Sequence, residues 1–434
     1  MSPAFRLLLP LIFGLSILPA RAEQCVVLGD SLTKEYELEF PILFPTNPAS
    51  WDSRNWIEIL HERRNTWFDL GEINGYVDPR LTGHEHNWAF PGATAVEIND
   101  QLKSWQSLIW RTELNGQIKN AAERAVVFAG GNDVDSFYGL IYNGASPTSY
   151  INATRDAIKG IVNYVLGQKS SLPMVLVSVP HLGCAPDIQR QYPTDPLKTA
   201  RVTAALDSLN TQLAAFAQSK NIAFVPGVYQ LTKDIIEGPF RIGGIDFYKE
   251  ADPDSRPRYV FSGDGFHPAT SAHGKIAQMV IEAFRNRYPA KQITPMTDRE
   301  IVASILGLDP DIPFNEWIAT QALPPGQSGM NDDPDGDGLV NAAEFVLDAA
   351  SASVATPDVL LPQADADATP PALTWTGRFR PQAAEWSSAK MQHSVDLLNW
   401  TDADPSVTTQ NPDGSQTLRF PLQGRRFLRL RVIP

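Results

Sequence analysis

Between residues 25 and 286 the chain alternates short apolar, β-branched runs with longer amphipathic stretches. The runs are "CVVLG" at 25–29, "NWAF" at 87–90, "AVVFAG" at 125–130, "PMVLVSV" at 173–179 and "IAFVPG" at 222–227. Helical periodicity fills the intervals: "WIEILHERR" from Trp56, "TAVEINDQLKSWQSLIW" from Thr94, "SYINATRDAIKGIVNYVLG" from Ser149 and "DPLKTARVTAALDSLNTQLAAFAQSK" from Asp195. A last amphipathic stretch, "SAHGKIAQMVIEAFRNRY", follows His267. Strands separated by helices of this length predict an α/β fold, a parallel sheet with helices on both faces. Ligand chemistry in such a sheet gathers at the carboxyl ends of the strands.

The flanks differ from this pattern. Residues 1–22, "MSPAFRLLLPLIFGLSILPARA", place Arg6 before an apolar core and close on Ala20-Arg21-Ala22, the signature of a cleavable secretory signal, which implies a secreted protein, extracellular or periplasmic. That core is too short to span a bilayer and holds prolines. Past residue 290 two short helical stretches, "MTDREIVASILGLDP" and "PFNEWIATQAL", lead into the linker-like "PPGQSGMN", and past 350 alternating runs such as "SQTLRFPL" and "RRFLRLRVIP" predict a β-sandwich-like module. The expected organisation is thus a signal at 1–22, an α/β domain at 23–290, a helical linker at 291–350 and a β-rich module at 351–434. An aromatic- and proline-rich insertion lies between Thr33 and Asn87, as a substrate wall or as packing; His84 and His86 inside it lack a third metal ligand and are expected in a loop.

Composition narrows the partners. The signal carries Arg6 and Arg21 and no acid, so the mature chain has 34 basic against 49 acidic side chains, a formal charge of −15, which argues against nucleic acid. Cys25 opens the first strand whereas Cys184 follows the end of the fourth, so the two thiols are expected at opposite ends of the sheet, too far apart for a disulfide.

Four local features fall just beyond apolar runs: Gly29-Asp30-Ser31-Leu32, Pro91-Gly92-Ala93, Gly130-Gly131-Asn132-Asp133 and Asp264-Gly265-Phe266-His267. Singly, each reads as a turn or a helix cap. On a parallel sheet the first three share one edge. Acyl transfer needs a serine, an imidazole to take its proton, an acid to orient the imidazole and donors for the oxyanion, and all four kinds of part are present. Asp264 lies three residues before His267, within reach of one turn. His181 and His273 have no acid at such a spacing; the first is expected near the same edge and the second in packing or at the surface.

These blocks, "GDSL", the glycine of "NWAFPGAT", "GGND" and "DGFHP", resemble in order those of the SGNH/GDSL hydrolases, and "VSVPHLGCAP" resembles a segment of that family's longer, plant-type branch. After "GDSL", however, Thr33-Lys34-Glu35-Tyr36 departs from that branch. The resemblance implies a flavodoxin-like three-layer α/β sandwich. It implies an esterase or lipase with Ser31 as nucleophile, His267 as general base and Asp264 orienting it. The oxyanion hole would be the N–H groups of Ser31 and Gly92 and the Asn132 amide, with no cofactor for catalysis. Asp30 and Asp133 are read as bracing their turns. An acyltransferase on the same parts and a non-catalytic glycan-binding protein are the alternatives; a carbohydrate or lipid ester is the expected partner.

A second motif stands apart. "DPDGDGLVNAAE", Asp333 to Glu344, fits the calcium-loop pattern D-x-[DN]-x-[DN]-G-x₅-E. Asp333, Asp335 and Asp337, the Leu339 carbonyl, Asn341 and Glu344 are the expected oxygen ligands of a structural Ca²⁺, with an acidic solvated loop as the plain alternative. The segment from Phe314 through this loop resembles C-terminal extensions of exported proteins of Verrucomicrobia-like bacteria.

Overall fold

All five apolar runs become strands of one parallel sheet. The computed structural model describes residues 22–43, 52–193, 195–251, 257–349, 363–365, 372–403, 405–421 and 427–433; residues 1–21 of the expected signal lie outside the described residues. Chain order runs β1 (Cys25–Gly29), α1 (Tyr36–Leu43), α2 (Trp56–Arg64), β2 (Ile73–Gly75), β3 (Thr82–His84), β4 (Asn87–Ala89), α3 (Ala95–Gln101), α4 (Leu108–Asn120), β5 (Arg124–Phe128) and α5 (Gly131–Tyr142). It continues through α6 (Thr148–Gln168), β6 (Met174–Val177), α7 (Pro186–Gln191), α8 (Pro196–Ser219), β7 (Ala223–Val225), α9 (Gly227–Glu237), β8 (Phe240–Ile242), β9 (Ile245–Ala251), β10 (Tyr259–Phe261) and α10 (Thr270–Arg287).

The sheet order β4-β1-β5-β6-β7 is the flavodoxin-like order, in which the second strand lies outside the first and the rest follow on the other side. Register puts Val27 beside Val126, Val126 beside Val175 and Val175 beside Ala223. β1, β5 and β6 are buried throughout, because helices cover both faces: α2 packs on α10, and α6 packs on both α3 and α8. The topology reverses between β1 and β5, so the carboxyl ends of β4, β1 and β5 meet where a ligand crevice is expected.

Two local departures have clear causes. The helix expected from Thr94 breaks in two because the Ser107 hydroxyl donates to the carbonyls of Gln101 and Ser104, satisfying the end of α3 by side chain rather than by a further turn. Of the two histidines expected in a loop, His86 is in the turn between β3 and β4, whereas His84 is not in a loop. His84 lies in β3 with its ring 3.1 Å from Glu35, and both histidines are buried. Within the insertion one carboxylate joins two helices. Glu58, in α2, accepts the N–H groups of Asn55 at 2.7 Å, Tyr36 at 3.0 Å and Glu37 at 2.9 Å, so it closes the capping box of α2 and seats the first turn of α1.

Beyond α10 come α11 (Asp298–Glu300), α12 (Ile312–Ile318), α13 (Asn341–Val346), β11 (Gln363–Asp365), β12 (Ala372–Gly377), α14 (Pro381–Trp386), β13 (Ser388–Ser394), β14 (Thr401–Asp402), β15 (Val407–Gln410), β16 (Gln416–Pro421) and β17 (Phe427–Ile433). The strands form two antiparallel sheets, β11-β12-β16-β15 and β14-β13-β17. Trp375, Leu418 and Phe420 from the first and Met391 from the second share one apolar cluster, so the sheets face each other. No helix among the described residues is long and apolar enough to cross a membrane.

Cys25 and Cys184 are free and buried. Burial pushes both thiols up, Cys184 to about 12. Thiol titration with an aromatic disulfide reagent is therefore expected to find no reactive thiol in the native protein and two after denaturation without reductant. None in the denatured protein would mean that the two are bridged.

Candidate active site

Gly29 ends β1 because nothing larger fits: a Cβ there would stand 2.3 Å from the carbonyl oxygen of Phe128 on the neighbouring strand. The chain then turns under Asp30, whose carboxylate accepts Leu32 N–H at 3.0 Å and whose carbonyl accepts Thr33 N–H at 3.0 Å. This turn carries Ser31 at the sheet's carboxyl edge, 6% exposed. Asp30 itself is pushed up to about 6 by burial.

The imidazole arrives from a different sheet. β10 pairs with β9, outside the five-stranded sheet, and leads into a turn closed on itself by Ser262 N–H to the His267 carbonyl at 2.9 Å and Gly265 N–H to the Ser262 carbonyl at 2.9 Å. Gly265 sits at φ +69°, the left-handed conformation that the tight turn needs. Asp264 Oδ1 accepts the N–H groups of Phe266 and His267, each at 2.9 Å, and Oδ2 lies 2.5 Å from His267 Nδ1. His267 Nε2 in turn lies 3.0 Å from Ser31 Oγ. Asp264 thus fixes the tautomer with hydrogen on Nδ1, leaving a lone pair on Nε2 toward the serine hydroxyl.

The expected oxyanion donors are also together. Gly92 is exposed at φ +75°, with no atom within 4 Å of where a Cβ would stand, so backbone conformation rather than crowding asks for glycine. Asn132, at the start of α5, donates one amide hydrogen to the Ala93 carbonyl at 2.9 Å. A primary amide has a second hydrogen. The Gly92 turn and the Asn132 amide are therefore tied to each other in advance of any ligand. Asp133 accepts Ala95 N–H at 2.6 Å and the Thr154 hydroxyl at 3.3 Å, joining α5 to α3 and α6.

Residues that the motifs do not mark complete the surroundings. α1 packs against the imidazole, with the rings of Tyr36 and Phe40 edge-on to His267 at 6.1 and 6.4 Å. Tyr36 Oη meets His273 Nε2 at 2.9 Å. Their only trace in the sequence is the i, i+4 spacing of Tyr36 and Phe40 directly after "GDSL", which reads as packing. His273 is buried rather than at the surface, and burial pulls it down to about 3. His181, pulled down to about 4 by burial, is engaged by Thr203 and Gly183. Both stay neutral and neither is hydrogen-bonded to Ser31.

In the calcium-type loop, Asp333, Asp335 and Asp337 place carboxylate oxygens within 4.8 Å of one another, with Gly336 and Gly338 at φ +75° and +93° making the turn. Glu344 is buried in the first turn of α13 and stands outside that group, and Asn341 gives its amide hydrogens to the carbonyls of Gln327 and Gly329. Leu339 N–H is held by the Asp337 carboxylate at 2.8 Å.

With this geometry in view, residues 25–280 match the family of GDSL-like Lipase/Acylhydrolase proteins, over more than half of the chain. The chain belongs to this family. This GDSL-like protein is accordingly a carboxylic ester hydrolase. Among solved structures it is similar to a GDSL-like lipase from Bacteroides thetaiotaomicron VPI-5482, at 14% identity over 61% of this chain and 88% of that one, TM-score 0.31. It is also similar to a carbohydrate esterase family 3 protein from Talaromyces cellulolyticus, at 13% identity over 61% and 99%, TM-score 0.32. No curated protein matches its sequence.

The electrostatics of the GDSL site predict its pH dependence. Burial alone would pull His267 down, but the hydrogen bond and charge of Asp264, with the charges of Glu39 and Asp30 nearby, reverse this and hold the imidazole above its ordinary value of 6.5. Only the neutral ring can take a proton, so kcat/KM for an ester is expected to fall as pH is lowered, with a midpoint above ~6.5. Glu39→Gln, which removes one of the charges, should move that midpoint down. A pH–rate profile checks both; a midpoint below 6.5 in the unaltered protein contradicts the reading.

Proposed function

We propose that this hydrolase is a secreted serine esterase that works through an acyl-enzyme on Ser31. The observation that carries the reading is the unbroken chain from Asp264 Oδ2 through His267 to Ser31 Oγ, with contacts of 2.5 and 3.0 Å. Ser31 Oγ bonds to the ester carbonyl carbon as its proton passes to His267 Nε2, and the carbonyl π pair becomes the oxyanion. The oxyanion faces the N–H groups of Ser31 and Gly92 and the second amide hydrogen of Asn132. When it collapses, the bond to the alcohol oxygen breaks and the alcohol leaves with the proton from Nε2. Water then attacks the acyl carbon, giving its proton to the same nitrogen, and Ser31 leaves with it. Asp264 stays ionised throughout: burial works against its charge, but the hydrogen bond and charge of His267 and the two backbone N–H groups outweigh it and hold the carboxyl below its ordinary range.

The substrate of this reading is an acyl ester carried by a carbohydrate or a lipid outside the cell, which the signal-like residues 1–22 support. The ten tryptophans say little about sugar stacking: Trp56, Trp88, Trp317, Trp375 and Trp386 are core, while Trp105 is 80% exposed. The same reading places a structural Ca²⁺ on Asp333, Asp335 and Asp337, with Leu339, Asn341 and Glu344 as the further donors of the twelve-residue pattern. Its support is that burial and then the charges of Asp337 and Asp333 push Asp335 up, and a divalent cation offsets that crowding.

Ser31→Ala is expected to reduce hydrolysis of p-nitrophenyl acetate to background. Asn132→Ala should lower kcat by about 10²–10³ with little change in KM. Residual turnover in Ser31→Ala near that of the unaltered protein would sink the serine mechanism. Separately, EDTA should lower the thermal unfolding midpoint while leaving the initial rate within twofold, and Asp335→Ala should abolish the response of that midpoint to Ca²⁺. A midpoint indifferent to Ca²⁺ in the unaltered protein would remove the ion from the account.

A further inference from the structure

Ser31 opens onto an apolar cavity that the motifs do not predict. Ser31 and Asn132 line it together with residues of α9 and α10. On α9 its wall is Val228, Leu231, Thr232 and Ile235, the i, i+3, i+4, i+7 face of one helix; on α10 it is Ala272 and Ile276, one turn apart. The walls belong to the core: Val228, Val260 and Ile276 are 1%, 1% and 4% exposed.

We propose, on the basis of the acyl-enzyme reading above, that this cavity receives the acyl group and that its depth selects short straight-chain acyl esters, about three to five carbons, over long ones. A cavity that begins at the attacking oxygen receives one of the two halves of the ester. Its lining decides which. A sugar or other polyol would bury hydroxyls against Val228, Leu231, Ile235 and Ile276 without partners, whereas a hydrocarbon chain loses nothing there. Thr232, the polar residue of the α9 face, is already engaged, its hydroxyl donating to the Val228 or Tyr229 carbonyl and accepting His181 N–H at 2.8 Å. Asp30, the neighbour of Ser31 in the chain, is the acidic residue of the lining.

Size sets the length. The cavity has a volume of about 50 Å³, against ~10–15 Å³ on the same measure for one water molecule. That is space for about three to five water-sized groups, and a methylene is close to a water in volume. A longer chain has no room unless Val228, Val260 or Ile276 moves, and these side chains hold α9, β10 and α10 together. Leu231 differs: it is half-buried on the outer part of the α9 face, so shortening it lengthens the space without opening the core.

The test is kcat/KM for p-nitrophenyl esters from C2 to C12 with the full chain, its Leu231→Ala and Ala272→Leu variants, and Ser31→Ala as blank, active protein being counted with a fluorophosphonate. Each methylene that finds the cavity should raise kcat/KM by about fourfold, giving a rise of roughly fifteenfold from acetyl to butyryl and a fall of at least tenfold by octanoyl. Leu231→Ala should move the optimum two or more carbons longer, and Ala272→Leu should move it to acetyl. Where Ala272→Leu does not fold, Leu231→Ala alone decides. An optimum at C8 or beyond, a flat profile, or a Leu231→Ala profile that coincides with the unaltered one overturns the cavity assignment while leaving the serine mechanism in place. No Ser31-dependent turnover of any ester, with no fluorophosphonate labelling, overturns both.

Discussion

A single carboxylate, that of Asp264, both folds the turn that carries the imidazole and aims it. Oδ1 accepts two consecutive backbone N–H groups and lies 2.9 Å from Ser262 Oγ, while Oδ2 meets His267 Nδ1. A carboxylate with this many donors is strongly held in its ionised form. The position of His267 is thus fixed by backbone rather than by a flexible side chain alone, and the 3.0 Å reach to Ser31 depends on it. Everything else at the site is arranged to meet that point: the Gly29 close approach sets the height of Ser31, and the Ala93 to Asn132 bond sets the donors opposite.

The surroundings of the imidazole press in the same direction. α1 lies against His267 through Tyr36 and Phe40, and α1 is seated by Glu58, whose carboxyl burial pushes up to about 8 although it accepts three backbone N–H groups. Behind the ring, Tyr36 and His273 form a neutral buried pair that adds no charge. The charges that do reach His267 are negative, from Asp264, Glu39 and Asp30. A base in such a setting is stronger than free imidazole, which suits abstraction of a serine proton and places the working range on the neutral to alkaline side.

How much of this was legible in the sequence follows from what each part rests on. The five strands were visible because a doubly covered parallel sheet demands unbroken apolar runs, and Ser31, Gly92 and Asn132 were visible because each follows one of them. Asp264 and His267 were visible by their spacing, but not that they spring from β10, whose three residues are too short to show a period. α9 escaped because it begins at Gly227, directly after Pro226, and its apolar face includes Thr232, so its start looked like the end of a strand. The loss is consequential, since α9 forms one wall of the acyl cavity. In the acidic loop the pattern named Glu344 with Asp333, Asp335 and Asp337, but only the three aspartates come together, and Glu344 is buried in the first turn of α13.

The C-terminal half also has a physical connection to the base. Phe314, Trp317, Phe345 and Trp386 pack ring on ring, and Trp386 Nε1–H reaches Asp311 at 3.2 Å. This cluster holds α14 against the Gly243-Gly244 turn of the β8–β9 hairpin so closely that a Cβ on Gly244 would stand 2.3 Å from the Gln382 carbonyl. β9 is the strand that β10 pairs with, and β10 leads directly into the turn of Asp264 and His267. The aromatic cluster therefore braces, through one hairpin and one strand pairing, the element whose placement the site depends on. Such a connection is mechanical support for the turn. The rings at its centre, Phe314 and Phe345, are 2% and 1% exposed, while Trp317 at 9% lies nearer its edge.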